Sequence, residues 1–157
     1  MRLLLKILVA LLFSFVFTAK TFAQLCQGSL GDPVVNITFG AGTNPGPPLG
    51  FGITNYTYLN SDCPGDGFYT IANSTNSCFG GTWHTLVEDH TPGDINGYMM
   101  VVNASYNPGD FFVKTVDGLC PNTTYEFAAW IYNVLQPFAC NGQGIKPNIT
   151  FSIETTS

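Results

Sequence analysis

The most chemically suggestive stretch of the sequence is HTLVEDHTPGDINGYMMVVNAS, residues 84–105. In it Glu88, Asp89, Asp94 and Asn96 gather oxygen-bearing side chains around a tight turn. Hard oxygen donors of this kind are what calcium takes in roughly six- to eight-fold coordination. The stretch is not an EF-hand, because Ser105 occupies the position, the twelfth counted from Asp94, where that loop requires a bidentate Glu. Three readings stay open: a structural calcium site, a solvated acidic turn in which Asp89 bonds the local backbone, or a catalytic carboxylate pair. His84 and His90 lie in the same stretch, but neither belongs to an HExxH zinc motif and no GxSxG nucleophile elbow exists for them to serve. They read as a strand residue and a turn residue. No convergent set of acid, base and nucleophile is visible, so the expected class is non-catalytic.

Aromatic residues make up 14% of the chain, enough to supply both a core and a binding surface. Flat rings near loops can stack on sugar rings, and Tyr56, Tyr58 and Tyr106 are the candidates for such a ligand-binding platform. Trp130 sits in YEFAAWIYN, where Phe127 and Ala129 share one strand face and Trp130 takes the other; large aromatics inside strands usually fill a core.

The five cysteines are Cys26, Cys63, Cys78, Cys120 and Cys140. In an exported chain they read as disulfide partners before metal ligands or nucleophiles, and they lack the CxxC spacing of a zinc knuckle. Spacing alone does not fix connectivity. Cys63–Cys78 and Cys120–Cys140 are the proposed pairs, each closing a loop of a size that stabilises by ~3 kcal/mol. Cys26 is then left over, and its missing partner suggests a chain that stops before its domain is complete.

Export is expected from the N-terminus. Arg2 and Lys6 precede an apolar run from Ile7 to Phe17, and Thr21-Phe22-Ala23 places small residues at the cleavage-defining positions, so residues 1–23 read as a signal peptide. The apolar run is short of the roughly 20 residues of a membrane span, and none is expected in the mature chain. The full chain has 5 basic and 10 acidic residues, a net charge of −5. After cleavage only Lys114 and Lys146 oppose all ten acids, a net charge of −8. Such a surface repels phosphate backbones, which excludes nucleic acid as a partner and suits cations, neutral glycans or a basic protein surface.

The elements that must position these groups are strands. Runs rich in Val, Ile, Thr, Tyr and Phe occur at 33–39, 55–59, 67–72, 83–89, 98–104, 111–116, 124–134 and 148–155, separated by Gly, Pro, Asn and Asp. Short strands with frequent turn signals and no βαβ alternation predict an all-β, two-sheet antiparallel sandwich of the jelly-roll type over residues 24–157. Residues 40–52 carry Gly and Pro too densely for a ladder and predict a long surface loop, the usual place for binding. Asn96-Gly97 is a turn pair. Asn-x-Ser/Thr triplets begin at Asn36, Asn55, Asn73, Asn103, Asn122 and Asn148.

The runs CQGSLGDPVVNITFGAG, GFYTIANSTNSCFGGTWHTLVEDHTPGDINGYMMVVNAS, PGDFFVKTVDGLCPNTTYEFAAWIYNV and IKPNITFSIET together resemble the N-terminal domain of large surface proteins of Bacteroidetes. Such proteins continue into PKD or other immunoglobulin-like repeats and a gliding-motility-associated C-terminal region used for type IX secretion. The DHT…G…YMMVVNAS phrasing is also similar to the start of MAM domains, within the broader galactose-binding-like jelly rolls. The resemblance implies a jelly roll, favours calcium near Asp89 and implies adhesion or binding outside the cell. It also implies a final strand, carrying paired aspartates and a cysteine, after FSIET. The expected function is therefore an extracellular binding module recognising glycan or protein surfaces. The alternatives are a structural cap for a repeat protein, or an accessory carbohydrate-binding module of a secreted hydrolase.

Overall fold

The computed structural model describes Pro33 and residues 35–155. The expected signal peptide and Cys26 lie outside the described residues. The described chain divides into two compact units, one containing residues 35–115 and 126–155, the other containing residues 116–125. In the smaller unit the chain turns at Asn122, whose φ is 57°, and the Tyr125 hydroxyl accepts a hydrogen bond from the Cys120 N–H at 2.8 Å.

The larger unit is built on a three-stranded mixed sheet in the order β1 (Thr57–Tyr58), β2 (Phe68–Ala72), β3 (Met99–Asn103). Strand β2 pairs antiparallel with β3, Thr70 opposite Val101, and parallel with β1 through Thr57–Phe68 and Tyr58–Tyr69. The fold is thus β-rich with little helix, as composition and turn density predict. The parallel pair departs from the all-antiparallel expectation. It spans only two residues, its strands joined by the nine-residue connection 59–67.

β2 reads FYTIA, with no clean polar alternation, because both of its faces are covered. The side-chain period of two sends Tyr69 and Ile71 to one side, where Tyr98, Met100, Val102, Phe39 and Leu49 join them. Ala72 faces the other side with Val101, Met99, Trp83, Cys78, Val134 and Leu135. The second cluster is stapled by the Cys63–Cys78 disulfide, one of the two expected pairs. The other does not form: Cys140 carries a free, exposed thiol while the Cys120 sulfur is disulfide-bonded elsewhere. Loop size alone could not discriminate between partners, since any closure of this order lowers the unfolded chain's entropy by a similar amount.

Of the eight expected strands, 55–59, 67–72 and 98–104 contain the observed ones. Segment 83–89 contributes isolated bridges only, Trp83 to Leu135 and Leu86 to Thr75. Segments 33–39, 111–116, 124–134 and 148–155 join no ladder among the described residues, and Phe127, Trp130, Ile149, Phe151 and Ile153 stand exposed. Strand propensity needs a continuous partner edge to become a ladder, and these segments make only isolated backbone bonds among the described residues, such as His84 N–H to the Val134 carbonyl and Val113 N–H to the Ile53 carbonyl, both at 2.7 Å. Two four-residue turns with left-handed backbone at their centres, Cys78–Gly81 (φ 51° at Phe79) and Ala139–Gly142 (φ 55° at Cys140), complete the elements among the described residues.

Residues 40–52 are not the free binding loop their composition suggests. Tyr98 and Tyr58 donate their hydroxyls to the Thr43 and Gly46 carbonyls at 2.6 Å each, and the Tyr69 hydroxyl accepts from the Leu49 N–H at 2.9 Å. Gly46 also donates to the Ile71 carbonyl at 2.7 Å. A Cβ there would fall 2.8 Å from Tyr98 Cζ, so glycine is what lets this strap lie flat on the tyrosine ring.

Candidate functional site

The acidic stretch is an anchored loop between two fixed ends. On its N-terminal side the buried Thr75 hydroxyl donates to the His84 carbonyl at 3.0 Å and accepts from the Leu86 N–H at 3.1 Å. On its C-terminal side Gly42 donates to the Asn96 carbonyl at 3.0 Å and Tyr98 donates to the Gly40 carbonyl at 2.8 Å. Asn96 itself has a φ of 58°, the left-handed conformation that Asn accepts more readily than most residues. Between these ends, residues 88–94 line an open cleft of about 220 Å³.

Of the four expected calcium ligands, the structure brings two together. Asp89 Oδ1 and Asp94 Oδ2 lie 2.6 and 2.7 Å from the point where a Cβ on the buried Gly97 would stand. Both carboxylates therefore converge in the space that glycine leaves. Asp89 Oδ2 accepts a hydrogen bond from the Thr91 hydroxyl, which fixes its rotation. Glu88 and Asn96 are exposed, and their side chains make no hydrogen bond among the described residues. Among the described residues no three His, Cys, Asp or Glu side chains form a metal-holding group. A calcium ion here would draw on these two carboxylates and on oxygens of other kinds, such as the Thr91 hydroxyl and loop carbonyls.

Two like charges held this close repel, and a cation between them would relieve that repulsion. The sequence signal for this arrangement was Asn96-Gly97, a pair that reads as a turn; its second role, making room for two carboxylates, depends on spatial proximity that no local pattern carries.

A residue assigned to the core stands beside this cleft instead. Trp130 is 81% exposed, and its ring meets His90 edge-on with centroids 3.7 Å apart and planes at 90°. His84 makes a similar edge contact with Tyr132 at 5.3 Å, so both histidines hold aromatic rings of segment 124–134. The alternation of YEFAAWIYN was legible; which face would be covered was not.

The expected tyrosine platform does not assemble. Tyr58 packs against Tyr69 at 5.6 Å and gives its hydroxyl to Gly46, which makes it a core residue. Tyr56 is half-buried, its ring set against Gly109, where it borders a second open cleft of about 210 Å³ with Asn55, Ser105 and Pro108. Asn55 is committed to Asp110, donating from Nδ2 to Oδ2 at 3.0 Å. Tyr106 is fully exposed, and no ring contact joins the three.

No helix among the described residues is long and apolar enough to cross a membrane. No protein-family model, curated protein or solved structure matches the chain.

Proposed function

We propose that this chain is a non-catalytic, secreted binding module of a larger surface protein, a jelly roll related to the MAM-like and galactose-binding-like domains of Bacteroidetes adhesins. Its ligand is a glycan or protein surface outside the cell, taken by the 88–94 cleft together with Trp130, with a structural calcium ion held by Asp89 and Asp94. The observation that carries the reading is the exposed Trp130 ring standing against His90 at the edge of a carboxylate-lined cleft. An indole offers a flat apolar face to a sugar ring, while neighbouring carboxylates accept its hydroxyl hydrogen bonds. The acidic balance of the chain, with Lys114 and Lys146 its only basic residues after Lys20, suits a neutral glycan or basic surface.

The test is an immobilised-glycan array probed with the purified protein and its Trp130→Ala variant, each with calcium present. Trp130→Ala should weaken binding roughly tenfold or more through loss of the stacking face. Undiminished binding by that variant would remove Trp130 from the site. A structural-cap role has its own support in the strap at 40–52, which is tied down where a binding loop would be free. A cap should bind no glycan on the array.

A further inference from the structure

The chain from Lys146 to Thr155 runs without a turn or bend, and its backbone makes no hydrogen bond among the described residues. Its side chains alternate as a strand's do: Ile149, Phe151 and Ile153 on one face, Asn148, Thr150, Ser152 and Glu154 on the other. Of the apolar face, Phe151 meets Phe127 at 4.9 Å and Phe111 at 6.3 Å between ring centroids, while Ile149 and Ile153 stand exposed without a ring contact. Open as well is the hydrogen-bonding edge, a row of N–H and C=O groups unpaired among the described residues and a template for another strand.

We propose that this segment pairs with the same segment of a second copy of the chain, in an antiparallel ladder centred on Thr150. The segment is complementary to itself. About that centre Lys146 lies opposite Glu154 of the second copy, Asn148 opposite Ser152, Ile149 opposite Phe151 and Thr150 opposite its own counterpart. Opposite charges, apolar pairs and Thr–Thr pairs are each favourable across an antiparallel pair. A twofold axis through Thr150 makes every pairing occur twice, as an isologous dimer interface requires. Neighbouring registers lack this. A one-residue slip sets the apolar face against the polar one. Centring on Ile149 or Phe151 places Lys146 opposite Ser152 or beyond Thr155, and the charge pair is lost.

Pro147 selects the hydrogen-bonding phase as well. With no N–H to give, it fits only if the even-numbered residues, Thr150 among them, bond across the interface while Pro147 points away from it.

The experiment is sedimentation of the purified oxidised protein over a range of concentrations, with Cys140→Ser as background so that the exposed thiol cannot link copies. A concentration-dependent dimer is expected. Lys146→Glu sets like charges opposite each other at both symmetric positions and should weaken it roughly tenfold. Lys146→Glu with Glu154→Lys should restore the wild-type affinity, and Thr150→Pro should abolish the dimer without lowering the melting midpoint of the monomer. In a separate arm, Thr150→Cys should link to its own copy under mild oxidation. Asn148→Cys, which faces Ser152 and lies well over the roughly 7 Å reach of a disulfide from its counterpart, should not. A monomer at every concentration, or a dimer indifferent to Thr150→Pro and to the charge reversal, would overturn the proposal.

Discussion

Replacing Gly97 by alanine tests the geometry of the acidic loop at its tightest point. The added Cβ would fall 2.6 Å from Asp89 Oδ1, 2.7 Å from Asp94 Oδ2 and 2.8 Å from Asp89 Cγ, all far inside van der Waals contact. Gly97 is buried and bridges to Ala41, so the backbone has little freedom to retreat. One or both carboxylates must rotate away, and Asp89 can do so only by giving up the hydroxyl of Thr91. Overpacking of this kind typically destabilises by about 1–3 kcal/mol, the range expected for Gly97→Ala in urea denaturation. The diagnostic step is the double variant. Asp89→Ala removes the nearer carboxylate, so Gly97→Ala in that background should lose at most about half as much stability as in the wild type, a positive coupling between neighbours. A Gly97→Ala variant as stable as the wild type, or an additive double variant, would show that the carboxylates do not converge on Gly97 and would refute the reasoning.

Other outcomes follow from the core. The Cys63–Cys78 bridge closes a separation of 15 residues and fastens the cluster around Trp83, so changing both cysteines to alanine should cost about 3 kcal/mol in the same denaturation assay. Thr70 is fully buried on β2, and its hydroxyl has no hydrogen-bond partner among the described residues. Thr70→Val keeps the shape and removes that unmet group, and should raise stability by about 1 kcal/mol; a loss would reveal a partner for the hydroxyl. Tyr98→Phe removes the bond that ties Thr43 to the ring, and should cost about 1 kcal/mol while raising hydrogen exchange along the 40–52 strap.

What the sequence disclosed was whatever depends on near neighbours along the chain. The FYTIA and MMVVN strands, the turn at Asn96-Gly97 and the gathering of acids at 88–94 all follow from local alternation, turn chemistry and spacing. Cys63–Cys78 was found correctly, but by the same loop-size argument that misassigned Cys120 to Cys140, so it distinguished nothing physically. The misplacements share one cause, the choice of which face is covered. Tyr58 looks like a loop-side ring until the Gly46 carbonyl is seen above it, and the surface segment that supplies this carbonyl was read as a binding loop because Gly and Pro exclude a ladder, which does not exclude packing. Trp130 looks like core because its neighbours alternate, yet alternation only sorts residues onto two faces. Of the four acidic-loop candidates, the convergent pair Asp89 and Asp94 could be told from Glu88 and Asn96 only once Gly97 was in place between them.

The proposed function rests on a cation held by Asp89 and Asp94 that fixes the loop beside Trp130. The measurement that reaches it most directly is a calorimetric melt of the oxidised protein in about 10 mM calcium and again in excess chelator, repeated for Asp94→Asn. Extracellular calcium sites bind with dissociation constants of roughly 10⁻⁴–10⁻³ M. A ligand specific for the folded state would then add about 1.4–2.7 kcal/mol and raise the midpoint by roughly 5–10 °C. That rise is expected in the wild type, and its loss in Asp94→Asn. Equal midpoints in calcium and chelator, or a rise that survives Asp94→Asn unchanged, would contradict the proposed function.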